Sequence, residues 1–254
     1  MRLVRFEIKG EVGATTGAVE NGRIHVLSGD VFGPYGTTGR VLGPDDVMLL
    51  APVRPSKIIA LGLNYRDHAE EFGLTIPAEP IIFMKPPTSV IGPSQAIVCP
   101  RMSRRVDFEA ELAVVMGRRA RHVNRDWALD YVLGYTGLND VTARDLQQKD
   151  GQWTRAKGFD TFCPLGPAIE TEVDPTNLAI SAWLNGEKKQ DSRTANLVFP
   201  VPELIEFITR IMTLEPGDVI ATGTPAGVGP LQPGDAIEIR IEGIGSLINH
   251  VVAE

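Results

Sequence analysis

Apolar and polar residues alternate with a period of two over much of the chain, the pattern of strands that bury one face. Residues 2–8 place Val4, Phe6 and Ile8 on one side. Strands at 17–20 and 23–27 flank Asn21-Gly22, a dipeptide that tolerates the positive φ angles of a tight hairpin turn, and Asn185-Gly186 repeats the device after a strand at 178–184. Two Pro-Gly-Asp turns, at 216–218 and 233–235, each introduce a strand, and the second strand, Ala236 to Glu242, alternates without a fault. Apolar runs at 57–62 and 81–84 predict two more strands. Helical periods are fewer. One helix is expected over 63–73, stopped by Gly73, with His68 and Glu71 three apart on one face. Another starts at the cap Asn124 and runs to about Leu133, and a short one capped by Thr142 carries Arg144 and Gln147. Pro202 begins a fourth, 202–212, with Leu204, Ile205, Ile208 and Ile211 on one side. The segment 153–164 has no clean period and reads as a loop bearing Lys157 and Thr161. Gly29 to Gly43 is glycine-rich and aperiodic, and Pro52 and Pro55 follow, so a boundary is expected near residue 53. The expected organisation is a small β-rich N-terminal region (1–53) and a main domain (54–254). Strands outnumber helices without βαβ alternation, which indicates a β-rich α+β fold.

One stretch breaks the pattern. Arg105 to Gly117 reads as a strand, and its alternation puts Asp107, Glu109 and Glu111 on one side before the run turns wholly apolar at Ala113–Met116. Carboxylates entering a covered strand need neutralisation, and a divalent cation that takes several oxygens is one solution; a strand end that stays in water is the other. Asp140 ends the next strand at a strand-to-helix junction, a place that presents side chains. His68 and Glu71 form either a surface pair or part of a site. The glycines of 222–229, with the Thr224 hydroxyl, either let backbone approach a ligand or make an ordinary loop.

Composition narrows the chemistry. The 254 residues are 43% hydrophobic and 22% charged, with a net charge of −7 and no basic block. Neither a nucleic-acid surface nor a membrane patch is indicated, and a small molecule is the expected partner. The N-terminus lacks the apolar core of a signal peptide and no apolar run reaches spanning length, so a cytoplasmic protein is expected. Cys99 and Cys163 are too few for a disulfide framework and read as buried thiols. The phosphate-loop, dinucleotide, nucleophile-elbow and zinc-helix motifs are all missing from the sequence. The four histidines are scattered, so any metal is expected to be held by oxygen.

Five segments in order carry a resemblance: Gly62-Leu-Asn-Tyr-Arg-Asp-His-Ala-Glu-Glu71, Asp107 to Gly117, Asn139-Asp-Val-Thr-Ala-Arg-Asp-Leu-Gln147, Ala156-Lys-Gly-Phe-Asp-Thr-Phe-Cys-Pro164 and Gly217 to Gly229. Over the main domain the chain resembles the fumarylacetoacetate hydrolase superfamily. The resemblance implies a β-roll of mixed, mostly antiparallel sheets, commonly a homodimer, acting beside a 2-oxo or 2-hydroxy-dienoate acid. It implies Glu109, Glu111 and Asp140 as metal ligands with Lys157 and Thr161 beside them, and Arg144, Gln147 and Thr224 as holders of the oxo-acid end. His68 and Glu71 match a His–Glu dyad of the smaller acylpyruvate-cleaving and decarboxylating members. An all-oxygen set suits Mg²⁺, with Mn²⁺ able to substitute.

The implied chemistry is metal-assisted C–C cleavage, decarboxylation or isomerisation, with His68 as acid/base poised near neutrality by Glu71 and Lys157 steadying developing charge. Only about fifty residues precede the main domain, which looks more like the bacterial enzymes of homoprotocatechuate breakdown, a tricarboxylate decarboxylase and a 2-hydroxyhepta-2,4-diene-1,7-dioate isomerase, than the founding hydrolase. Acylpyruvate hydrolase and oxaloacetate decarboxylase are alternatives on the same site, and a non-catalytic metal or oxo-acid binding protein is an alternative of another kind. Arg66 lies two residues before His68. If it faces the site, it would bind a second carboxylate and favour a di- or tricarboxylate substrate; otherwise it points to solvent.

Overall fold

The turn dipeptides form the hairpins expected of them: Asn21 and Gly22 take φ of 50° and 74°, and Asn185 and Gly186 take 52° and 83°. The computed structural model describes every residue except Phe72 and Leu74. Among the described residues the strands build three sheets, of twelve, five and three strands, mostly antiparallel with a few parallel pairs and no closed barrel. The β-rich α+β fold is thus as the alternation indicates.

The largest sheet runs from the N-terminal hairpins through Arg2–Ile8 to Cys163–Glu170, Val132–Asn139, Ala110–Met116, Val219–Ala221, Ile58–Gly62 and the edge strand Ile81–Lys85. The N-terminal strands join this sheet through the pairs Arg2 with Glu170 and Leu3 with Ile169, and Phe6 is fully buried. All seven residues of Ala110–Met116 are buried, as a strand covered on both faces requires. The five-stranded sheet carries the alternating Ala236–Ile241 strand, whose Ile237, Ile239 and Ile241 enter the core. The helices are α1 (Arg66–Glu71), α2 (Arg144–Asp150), α3 (Thr154–Lys157) and α4 (Val201–Ile211). Among the described residues no helix is long and apolar enough to cross a membrane. Both cysteines are free, and burial raises both thiols, that of Cys163 to about 12.

Four expectations are corrected. Tyr35–Leu42 is a strand inside the stretch that shows no period; it lies at the sheet edge with all but Leu42 exposed, so no alternation is imposed on it. The segment after Asn124 is a 3₁₀ helix ending at Tyr131, although Asn124 does cap it by accepting from the Asp126 N–H. Thr142 does not cap α2: it sits in a short strand, with its hydroxyl on Glu109 and on the Asp140 carbonyl. The supposed loop 153–164 contains α3 and the start of the Cys163–Glu170 strand. In α4, Leu204, Ile205 and Ile208 are fully buried, whereas Ile211 in the last turn is exposed.

The Pro216-Gly-Asp218 turn has a further use. Buried Asp218 accepts from the Ser56 and Lys57 N–H groups, the Ser56 hydroxyl and the Glu215 N–H, and pairs with the Lys57 ammonium. It thereby locks two parallel strands, Ile58–Gly62 and Val219–Ala221, at their common start. Replacing Asp218 by Ala orphans several buried donors and should cost about 3–5 kcal/mol. Lys57→Ala, which leaves the other bonds to Asp218 intact, should cost less, about 1.5–3 kcal/mol. Denaturant unfolding of the two variants checks this ordering; equal losses would contradict it.

Candidate active site

The acidic strand does not run straight through. Val106–Phe108 pairs in the three-stranded sheet and Ala110–Met116 in the twelve-stranded one, with Glu109 at the switch. Its N–H donates to the Asn139 side chain (2.9 Å), and its carbonyl accepts from Asp140 N–H (2.9 Å). The break separates the three acids that strict alternation would align. Asp107 turns to Arg105 and Arg144 (2.9 and 2.8 Å), while Glu109 and Glu111 meet Asp140, all three buried, with one oxygen from each lying within 4.8 Å of the others.

Cations are distributed unevenly over this trio. Arg144 donates to Glu109 (2.6 Å), and Lys157 donates to both Glu109 (2.9 Å) and Asp140 (2.5 Å). Burial by itself would raise the Glu109 carboxyl, but Lys157 and Arg144 outweigh it and hold it at about 2. Lys157 is itself raised, since Asp140 and Glu109 overcome its own desolvation. Among the described residues Glu111 accepts one hydrogen bond, from the Gly223 N–H (2.8 Å), and burial, together with Asp140 and Glu109, outweighs nearby Lys157 and pushes its carboxyl well above the ordinary range. A divalent ion would supply the positive charge that Glu111 lacks. The donor set fits one of the hard, oxygen-seeking kind, which these three residues would hold.

A cavity of about 350 Å³ opens beside the trio, with Glu109, Arg144, Gln147 and Lys157 on one side and His68 and Thr224 on others. Gln147 accepts from Arg144 (2.6 Å). Thr224 is positioned by Gln190, whose amide donates to the Thr224 hydroxyl (2.8 Å) and whose carbonyl accepts from Ala110 N–H (2.9 Å). His68 faces Glu71 across 3.5 Å, and Glu71 in turn accepts from Gly227 N–H, tying α1 to the 222–229 loop. Burial lowers the His68 pKa, and Glu109 and Glu71 only partly restore it. Desolvation is thus the largest influence on His68, opposed by the neighbouring carboxylates.

Two residues do not join this group. Arg66 is exposed, and its guanidinium donates to the Leu197 carbonyl (2.6 Å) at a separate depression. Two residues on a helix subtend about 200°, so Arg66 and His68 leave α1 on nearly opposite sides. The expectation that Arg66 binds a second carboxylate in this cavity is thus corrected. Thr161, at φ 69°, spends its hydroxyl oxygen on Val98 N–H (2.9 Å) and does not line the cavity.

Sequence reasoning missed Lys85, which is fully buried and donates to Asp140 (2.5 Å) and to the Lys157 carbonyl (2.6 Å). The signal was a lysine closing the apolar run Ile81–Met84, where only a paired charge is tolerated. It also missed Gln190, and the aromatic pair Phe83 and Trp153, whose rings meet edge to face at 5.1 Å on the cavity wall.

Comparison with known proteins places the chain in a family. The family model "Fumarylacetoacetate (FAA) hydrolase C-terminal" matches residues 57–252, and "Rv2993c-like, N-terminal" matches 1–52. The structure of a 5-carboxymethyl-2-hydroxymuconate delta-isomerase from Mycobacterium smegmatis superposes with a TM-score of 0.94 at 44% identity, covering 100% of both chains. That of a 2-hydroxyhepta-2,4-diene-1,7-dioate isomerase from Mycobacterium marinum gives 0.92 at 45% identity, covering 100% of this chain and 99% of the other. The mitochondrial oxaloacetate tautomerase Fahd2a of Rattus norvegicus is 46% identical over 218 residues, 81% of this chain and 70% of that protein. The chain belongs to the fumarylacetoacetate hydrolase family.

Proposed function

We propose that this protein is a metal-dependent enzyme that enolises 2-oxo acids, the step shared by tautomerisation, double-bond isomerisation, decarboxylation and C–C cleavage. The observation that carries the reading is a buried three-carboxylate cluster whose Glu109 lines the same cavity as His68, a histidine whose pKa burial lowers. The related isomerases and tautomerase named above support it. When bound, Mg²⁺ or Mn²⁺ supplies the Lewis acidity that polarises a 2-oxo group.

The chain's own residues do the rest. Arg144 and Gln147, locked together, orient the acid end, and the Thr224 hydroxyl, fixed by Gln190, offers a polar contact opposite. Lys157 keeps its ammonium between Glu109 and Asp140 and steadies negative charge that develops beside it. The neutral His68 imidazole takes a proton from the carbon next to the 2-oxo group and returns it at the product carbon, with Glu71 stabilising the imidazolium that forms between. A protein that merely bound a metal would require neither His68 nor Glu71.

Turnover of a 2-oxo acid is expected to vanish on chelation and to return with Mg²⁺ or Mn²⁺. Glu111→Gln, which retains shape but not charge, should weaken Mn²⁺ binding by at least about tenfold in calorimetry, corresponding to about 1.4 kcal/mol. Full activity of metal-free protein would refute the reading.

The acid limb of the kcat/KM profile should lie below the ordinary histidine value of about 6.5, because the lowered pKa keeps His68 unprotonated until the pH falls through that depressed value. His68→Gln should lose about 10²-fold or more in kcat and abolish this limb, while Mn²⁺ affinity is retained. A limb that survives in the variant would assign the base elsewhere.

We also propose a homodimer, supported by the edge strand Ile81–Lys85 with its exposed Ile81 and Met84. Light scattering should give the mass of two chains, and Met84→Lys should shift it toward one.

A further inference from the structure

We propose that the seam between the N-terminal strands and the main domain binds a small anion, a carboxylate or a phosphate, held between Arg5 and Arg54. The site is separate from the catalytic cavity, with which it shares no lining residue.

The seam encloses a cavity of about 400 Å³. Arg5 enters it from the strand Arg2–Ile8, and Arg54 from the short joint between the two matched family segments, which end at 52 and begin at 57. Thr88 and Gln95 line it from the main domain. Alternation brings Arg5 here: Val4 and Phe6 enter the core, so Arg5 and Glu7 leave the strand on its opposite face.

A close backbone approach builds the floor. A Cβ on Gly92 would lie 2.5 Å from the Ala51 nitrogen and 2.7 Å from the Leu50 carbonyl carbon, so the absent side chain lets the 92–95 turn close against the end of the strand Val47–Leu50. The Gln95 side-chain oxygen accepts from Gly92 N–H (2.5 Å), and the end of Gln95 left for a ligand is therefore its donor end. With two guanidinium groups and the Thr88 hydroxyl, the lining is rich in donors. Glu7 is the carboxylate among the described residues that line it.

Charge points the same way. Arg5 donates to the Ala51 carbonyl (3.3 Å), exposed Arg54 makes no hydrogen bond, and among the described residues neither arginine forms an ion pair. Burial and the neighbouring Arg54 lower the Arg5 pKa, and Glu7 offsets only part of this. Two like charges thus face one depression with their repulsion unrelieved. An anion accepting from both would relieve it through charge-assisted bonds, for which the guanidinium fork is well shaped. Because its partners come from both parts of the chain, the bound anion would also clamp the N-terminal strands to the main domain.

The test titrates inorganic phosphate and succinate separately into the protein, in the presence of Mg²⁺ and at constant ionic strength, by calorimetry. At least one should bind with a millimolar or tighter Kd and raise the Tm. Arg54→Gln, which breaks no internal contact and should keep the wild-type Tm, should weaken that binding at least about tenfold, and so should Arg5→Gln. Arg144→Gln, in the catalytic cavity, should leave it unchanged. Given that pattern, binding of phosphate alone identifies a phosphorylated ligand and binding of succinate alone a carboxylate. Loss in Arg144→Gln with retention in Arg54→Gln would place the anion in the catalytic cavity and overturn the seam site. Equal affinity in the wild type and all variants, or no binding of either anion at millimolar concentration, would overturn it as well.

Discussion

The neutralisation of carboxylates inside a sheet is the constraint on which the rest of this structure turns. Asp107, Glu109, Glu111 and Asp140 are all buried, and each buried carboxylate would cost several kcal/mol after relaxation if left alone. The fold brings Lys85, Lys157 and Arg144 to them from three places: the end of an edge strand, a four-residue helix and the first residue of a seven-residue helix. None of these elements would be well specified by its own propensity. Short helices are marginal without tertiary support, and here the charged contacts and the core beneath them provide it.

That arrangement leaves one acid with no hydrogen bond from a cation among the described residues. Glu109 and Asp140 are held by lysine and arginine donors, whereas buried Glu111 has, among the described residues, a single backbone N–H. The site is therefore preorganised in two acids and electrostatically incomplete at the third, as a cluster built to receive a cation would be. The same logic separates the roles around the cavity. Residues of the strands and of α2 and α3 set charge, α1 brings His68, and Gln190 reaches across from the five-stranded sheet to fix Thr224.

Strain and close approach both occur near the cavity. Leu63 and Thr161 adopt positive φ, and Gly62 exists where a side chain would strike Trp153. Holding a leucine in the left-handed region costs about 1–2 kcal/mol. The lock at Asp218, at the start of the strands that lead into Leu63 and Thr222, is one of the contacts able to sustain it.

The sequence by itself determined the strands whose burial imposes a period, the hairpins at Asn-Gly, the start of α4 to within one residue of Pro202 and, through five segments in order, the family. Which acids cluster was legible only in part, because alternation aligns Asp107 with Glu109 and Glu111, whereas the trio with Asp140 was implied by the resemblance. The sequence could not show the strand at 35–42, since an exposed edge imposes no alternation, nor the helix α3, too short to display a period. Tertiary structure alone decided the direction in which side chains leave their elements and what meets them. A two-residue step along α1 put Arg66 outside the cavity and His68 inside it. A one-residue sheet switch at Glu109 sent Asp107 to Arg144 and away from the trio. Lys85 and Gln190, distant in sequence, became partners of Asp140 and Thr224 only because sheet pairing brought their strands there. Local sequence fixes period and turn chemistry, whereas the balance between desolvation and pairing depends on neighbours that only the folded chain assembles.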